Sequence, residues 1–314
     1  MPVNPIDVAK ATQNLASIAT AGKMNPQQFA AYFQLVQDQP TFLADLNIQY
    51  MTADTALIES LEFVGRITRS AEEDTAFEDS ETSSLTASKK TLSSKKIRCE
   101  VPITDEFLME NLIGEPAVNY VRTKMAARNA LDLQDLFVLG DTTLTTDPLL
   151  KRLDGVIKQF ETIGTGVVDY SSDDVAISDD ILWSAYLALP ARYRKDKANL
   201  RIYCNDDVIS TYKQWFGKRE TSNGDTVTIN GMQVTMFNGV RFYDVTSWPA
   251  GSFLLTNRMN LKPGIRKDVT AYVYPQPRQG RTYYGLNQWV DIKVIEDECG
   301  VLVEGLNTTG QTTV

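Results

Sequence analysis

The sequence predicts an α+β fold made of extended parts: an arm, a projecting hairpin, one long helix, an α/β segment and a closing long-stranded sheet. Three observations predict it. Residues 117–139 carry apolar side chains at helical spacing and stop at Gly140-Asp141. Residues 58–68 and 91–101 are β-prone and flank a polar stretch poor in apolar residues. Residues 154–261 then alternate helix and strand signals, and residues 270–274 and 289–294 read as long strands.

Composition bounds the chemistry. The chain has 314 residues, enough for about two domains. It contains no histidine, which removes Ser-His-Asp and Cys-His catalysis. Its three cysteines, Cys99, Cys204 and Cys299, form no CxxC pair, so neither a zinc site nor a disulfide framework is expected. No run is apolar for the roughly 18 residues that a membrane span needs, and residues 1–23 lack a secretory signal's apolar core. The net charge of -9 argues against a dedicated nucleic-acid binder, whose phosphate contacts need clustered Lys and Arg.

The N-terminal residues 1–46 are rich in Ala, Asn and Gln. Asn25-Pro26 opens a short helix in which Phe29, Tyr32, Phe33 and Val36 share one face, and Pro40 ends it. The stripe reads either as an arm that packs on something else or as the first helix of the main domain. In the polar stretch that follows, charge is segregated. Glu72, Glu73, Asp74, Glu78, Asp79 and Glu81 carry no base among them, and Lys89, Lys90, Lys95, Lys96 and Arg98 carry no acid. Such a segment buries too little to fold alone. It is a surface loop or the tip of a hairpin ordered by a neighbouring subunit, and segregated charge favours a head-to-tail fit.

Thr104 is placed to cap a short helix ending near Gly114, and Pro116 suits the first turn of the long helix. Roughly 23 residues of helix would extend about 35 Å, longer than most compact domains need. Further on, Ser178 precedes a helix through Ile181, Ala185 and Leu189. Residues 198–204 read as a buried strand, and Asn205 precedes a helix closed by Gly217. Asn230-Gly231 centres a hairpin signal over residues 226–234, and residues 239–243, 253–255 and 301–303 read as strands. Residues 307–314 form a polar tail.

Candidate sites are few. The carboxylate pairs Asp105/Glu106, Asp179/Asp180 and Asp206/Asp207 all fall in predicted first turns, where the helix dipole accounts for them. Gly164-Thr165-Gly166 lacks the rest of a phosphate-binding motif. No cofactor or metal is expected. Basic residues gather at Arg192, Arg194 and Lys195, at Arg266 and Lys267, and at Arg278 and Arg281. They read first as solvated faces, then as partners for acidic surfaces of other subunits, and last as a nucleic-acid site.

Four stretches carry a family resemblance. Residues 97–108, IRCEVPITDEFL, run from a strand into a short helix start. Residues 126–141, AARNALDLQDLFVLGD, end an Ala-rich helix in "D-x-x-F-x-x-G". Asp154-Gly155-Val156-Ile157 is similar to a "GI" strand after that turn, and Leu189-Pro190-Ala191-Arg192-Tyr193-Arg194 precedes the strand at Arg201-Ile202-Tyr203-Cys204-Asn205. In this order they resemble the major capsid protein of tailed bacteriophages, the Hong Kong ninety-seven-type fold.

The resemblance implies an N-arm (residues 1–46), an E-loop region (47–101) and a P-domain holding the spine helix (102–153 and 260–306). It also implies an A-domain (154–259) and a flexible tail (307–314). It implies a non-enzymatic shell protein that assembles with itself into hexamers and pentamers around packaged DNA, held non-specifically. The virion capsid would be built in the host bacterial cytoplasm, with a separate scaffolding protein, a portal and a decoration protein as partners. The E-loop acids, with Lys89 and Lys90, would meet a neighbour's basic surface, and Phe29, Tyr32, Phe33 and Val36 would be arm contacts. An encapsulin compartment shares the fold and is the nearest alternative. A carboxylate- or metal-dependent α/β enzyme and a tail or adhesin component are more distant ones.

Overall fold

The structure is a computed structural model that describes residues 41–63, 68, 85–104, 106, 115–172, 175–217, 236–267 and 269–307. The expected arm helix, the acids from Glu72 to Glu81 and the hairpin at Asn230-Gly231 lie outside them.

In chain order the elements are α1 (Thr41–Asp45), β1 (Gln49–Met51), β2 (Thr55–Phe63), β3 (Leu85–Ser93), β4 (Lys95–Thr104) and α2 (Glu115–Leu139). Then come α3 (Val156–Ile163), β5 (Val167–Asp169), α4 (Asp179–Ala188), α5 (Ala191–Arg194), β6 (Leu200–Cys204) and α6 (Asp206–Gly217). The last are β7 (Met236–Phe237), β8 (Val240–Asp244), β9 (Phe253–Asn257), β10 (Leu261–Arg266), β11 (Thr270–Gln276), β12 (Arg281–Val294) and β13 (Gly300–Glu304).

The first sheet is built on β12. β4 pairs along one side of it, and β10 followed by β11 pairs along the other, all antiparallel. Val290 marks the two sides, because it faces both Ile265 and Lys95. β1 adds to β10 in parallel. The second sheet has the order β5-β13-β9-β6-β8-β7. Two adjacent strands, β2 and β3, stand apart as a hairpin.

The second sheet separates two cores, and its strand sequences show why. Along β6, β9 and β13 the residues Ile202, Cys204, Phe253, Leu255, Val301 and Val303 face α4 and α6, where Ile181, Leu182, Val208 and Tyr212 lie. The alternate residues Tyr203, Leu254 and Leu302 face the other way. They join Leu133, Leu136 and Phe137 of α2 and Val290 and Ile292 of β12. Strands buried on both faces read as near-continuous apolar runs, as these do, with Arg201 interrupting β6.

The 25 residues of α2 extend about 37 Å. A buried amide pair pins it across β12: Asn129 Nδ2 donates to Gln288 Oε1 at 3.4 Å, and Gln288 Nε2 donates to Asn129 Oδ1 at 2.8 Å. At its end the chain folds back so closely that Gly155 N donates to Gly140 O at 2.8 Å. A Cβ on Gly140 would meet Leu136 O and Leu153 O at 2.5 Å, so the turn glycine is fixed by backbone contact.

Several expectations are corrected. The "GI" segment opens the helix α3, because Val156, Ile157 and Phe160 share one buried helical face. The strand expected over residues 91–101 is broken at Ser94: β3 belongs to the hairpin and β4 to the first sheet. β3 already begins at Leu85, inside the stretch read as a polar tip. β12 begins at Arg281, eight residues before the expected Trp289. β13, read with the closing strands of the first sheet, pairs with β9 and β5 in the second. Ser178 holds the N-cap position of α4 in extended backbone, but its hydroxyl makes no capping bond. Thr104 is the last residue of β4, opposite Arg281, and of the helix expected after it only Glu106 is described.

Candidate inter-subunit surfaces

The hairpin is the described element with the least internal support, since an isolated two-stranded ribbon is marginal in water. Its root is therefore tied to the body. Leu92 is fully buried against Gly264, where a Cβ would come within 3.1 Å of its methyl. Ser93 N donates to Asp291 Oδ2, and Ser94 N donates to Asp54 O at 2.9 Å. Asp54 in turn pairs with Arg266, whose guanidinium lies 5.3 Å from the Trp289 ring centre. Burial pushes the Asp291 carboxyl above the usual aspartate range. On its outer face the hairpin exposes Leu57 to 60%.

Lys89 and Lys90 lie on β3 and are already paired within this chain. Lys89 Nζ is 3.0 Å from Glu59 of β2, and Lys90 Nζ is 2.8 Å from Asp297. The basic residues fall in three places. Arg192, Arg194 and Lys195 lie on or just after α5. Arg192 pairs with Glu298 at 2.9 Å, and Arg194 lies 5.8 Å from the Tyr186 ring centre. Arg266 and Lys267 sit where β10 gives way to β11, while Arg278 and Arg281 occupy the far end of β11. Seven residues of strand, roughly 20 Å, separate those two groups.

Asp45, at the end of α1, sits in a buried polar knot that the sequence did not disclose. Phe42 packs edge-on to Tyr203 with ring centres 5.1 Å apart. The Tyr203 hydroxyl donates to Asp45 Oδ2 at 2.8 Å. Arg201 Nε lies 3.3 Å from the same carboxylate and Arg258 Nη1 3.7 Å from its other oxygen. The 3.3 Å approach is an ion pair without hydrogen-bond alignment. Burial, then the Asp45 carboxylate, pushes the Tyr203 hydroxyl well above its ordinary value. The knot fixes Thr41–Asp45 to the body. In sequence, Asp45 is one acid in a loop-like stretch, and its partners lie more than 150 positions away.

The chemistry-bearing candidates stay structural where described. Asp179/Asp180 and Asp206/Asp207 fall in the first turns of α4 and α6. Among the described residues no three His, Cys, Asp or Glu side chains gather as a metal site. Gly164 ends α3 in left-handed conformation, so the Gly164-Thr165-Gly166 segment is a helix stop. Cys204 and Cys299 are buried free thiols, and burial pushes Cys299 up to about 11 and Cys204 higher still. No helix among the described residues is long and apolar enough to cross a membrane.

The model of the Phage capsid family matches residues 37–294. A prophage capsid protein of Bacillus subtilis (strain 168), YqbE, is 31% identical over 225 residues, 72% of this chain and 70% of that protein. In the procapsid of satellite phage P4 with its size determination (Sid) protein, one chain superposes with a TM-score of 0.71 at 15% identity. It covers 95% of this chain and 98% of that one. A chain of the SrpI encapsulin complex from Synechococcus elongatus PCC 7942 superposes at 0.55 and 12% identity, over 88% of this chain and 90% of that one. The fold alone is thus shared by viral and cellular shells. The family match and the curated relative go further, and by both this chain belongs to the phage capsid family.

Proposed function

We infer that the chain is the repeating subunit of an icosahedral phage shell, arranged as hexamers and pentamers around packaged double-stranded DNA. The observation that carries this is the family match over residues 37–294, which takes in the hairpin and most of both cores. The surfaces support it. A two-stranded hairpin held to the body at its root and by the Lys90 and Ser60 contacts, with Leu57 exposed, gains support when it lies on a second copy. Interfaces of this kind bury on the order of 1,200–2,000 Å², and several per subunit hold a shell against internal pressure. The work is mechanical, so the chain is proposed to be no enzyme.

Within this reading, the acids Glu72, Glu73, Asp74, Glu78, Asp79 and Glu81 contact a basic face of the next copy. Of the basic residues, Arg192, Lys195, Lys267, Arg278 and Arg281 are exposed in the subunit; Arg192 is paired with Glu298, and the other four are the proposed acceptors. Residues 1–40 leave from the Asp45 knot toward a neighbour, with Phe29, Tyr32, Phe33 and Val36 as their contacts. Assembly in the host cytoplasm with scaffolding, portal and decoration proteins completes the proposal. Electron microscopy of the purified chain, alone and co-expressed with neighbouring capsid genes, tests it. Closed shells of uniform size are expected, and monomers under every condition would overturn it. Cargo separates the encapsulin reading: DNA inside particles supports the phage shell, and a packaged enzyme supports the compartment.

A further inference from the structure

A rigid acidic turn joins β12 to β13 and touches three elements at once. Its backbone is fixed from inside by Asn260, which is buried. Ile295 N donates to Asn260 O at 3.0 Å, and Glu296 N donates to Asn260 Oδ1 at 2.7 Å. Asn260 Nδ2 donates back to Glu296 O at 3.0 Å, and Cys299 N closes the turn on Glu296 O at 3.2 Å. Three successive carboxylates then point to different partners. Glu296 Oε1 accepts from Ser60 Oγ of β2 at 2.7 Å, and its Oε2 accepts from the Tyr193 hydroxyl of α5 at 3.4 Å. Both Asp297 oxygens accept from Lys90 Nζ of β3, at 2.8 and 3.0 Å. Glu298 Oε2 accepts from Arg192 of α5 at 2.9 Å.

We propose that the 296–298 turn is a releasable clamp that couples the angle of the β2–β3 hairpin to the position of α5. The pivot is the hairpin root at Ser93 and Ser94, which Asp291 and Asp54 hold. The clamp grips farther along the ribbon, at Lys90 opposite Ile58 and at Ser60 opposite Ser88. That is three to five residues from the root pair Thr55 and Ser93, roughly 10–17 Å of lever. To lift away from the body, the hairpin must give up Asp297 and Glu296 together. Glu296 also holds Tyr193, so the lift is felt at α5. Lys90 and Asp297 are 32% and 45% exposed, so the pair is weak enough to open under load and close again. The clamp belongs to the single chain, so its test does not depend on shells forming.

Hydrogen–deuterium exchange on the full-length dissociated chain reads it. Asp297→Ala should raise exchange in the hairpin peptide 85–93 by about 1.4-fold to fivefold, the scale of one partly exposed pair, and in residues 189–195 by a smaller factor through Glu296. Glu298→Ala should do the reverse. Glu296→Ala should raise both, and the exchanged pair Lys90→Asp with Asp297→Lys should restore the hairpin value. Hairpin exchange unmoved by Asp297→Ala, no restoration by the exchanged pair, or an effect of Glu296→Ala confined to one peptide would each overturn the proposal.

Discussion

Tyr272 lies flat across Gly285, its opposite residue in the β11–β12 register, and a Cβ on Gly285 would meet the ring at 2.0 Å. The tyrosine hydroxyl donates to Glu100 of β4 at 2.6 Å, so one ring spans three strands. Gly285→Ala must displace it and should destabilise the chain by about 1–3 kcal/mol. Calorimetry reads this, and an unchanged Tm would show that the ring moves freely. Asp45 is the second residue-scale test. Asp45→Ala strands the buried Arg201 and Tyr203 groups and should destabilise by about 3–5 kcal/mol, measured by denaturant unfolding. A loss below 1 kcal/mol would mean that the knot is solvated. Asp291 adds a pH effect. Burial raises its folded-state pKa above the unfolded one, so the native chain holds the proton more tightly. Ionisation then costs stability as pH rises from about 3.9 through the raised native value. Asp291→Asn keeps an acceptor for Ser93 and should remove the fall in Tm that Asp291 causes as pH rises above about 4. An unchanged slope would sink this assignment.

At the scale of elements, the long helix and the long strand are registered by one buried amide pair, Asn129 with Gln288. Replacing only one partner leaves a buried amide without its bond and should cost about 1–3 kcal/mol. Replacing both with Leu should cost less than the two single changes added together. A double-mutant cycle by chemical denaturation measures the difference, and strict additivity would show that the pair does not register α2 on β12. The hairpin illustrates the opposite design. β2 and β3 have each other, a fixed root and the acidic turn, and little else among the described residues. An element supported that sparsely moves at low cost.

For the whole molecule, assembly is where the acidic hairpin segment should matter. Replacing Glu78, Asp79 and Glu81 with Lys should reduce shell yield or lower the particle's melting temperature while the dissociated chain melts as before. Light scattering and calorimetry on both states check it. Normal shells with a normal melting temperature would remove these acids from the proposed interface.

The sequence by itself determined the type of most described elements and the family resemblance; the segment at Asp154–Ile157, read as a strand, opens a helix instead. The long helix was legible because 3.6-residue periodicity, Pro116 and Gly140 are local signals. The buried strands were legible because residues packed on both faces read as near-continuous apolar runs, interrupted in β6 only by Arg201. Missing histidine removed most catalytic classes without any coordinates. Only the tertiary structure decided which strands pair. Residues 91–101 look like one strand, yet Asp54 and Asp291, distant in sequence, hold the break at Ser94 that sends its halves to different sheets. Val301 to Val303 carry the same apolar pattern as the neighbouring strands, and only pairing with β9 and β5 assigns them to the second sheet. The Asp45 knot and the 296–298 turn stayed hidden for the same reason. A single acid or an acidic triplet reads as solvated surface until the fold brings Tyr203, Arg201, Ser60, Lys90 and Arg192 within bonding distance.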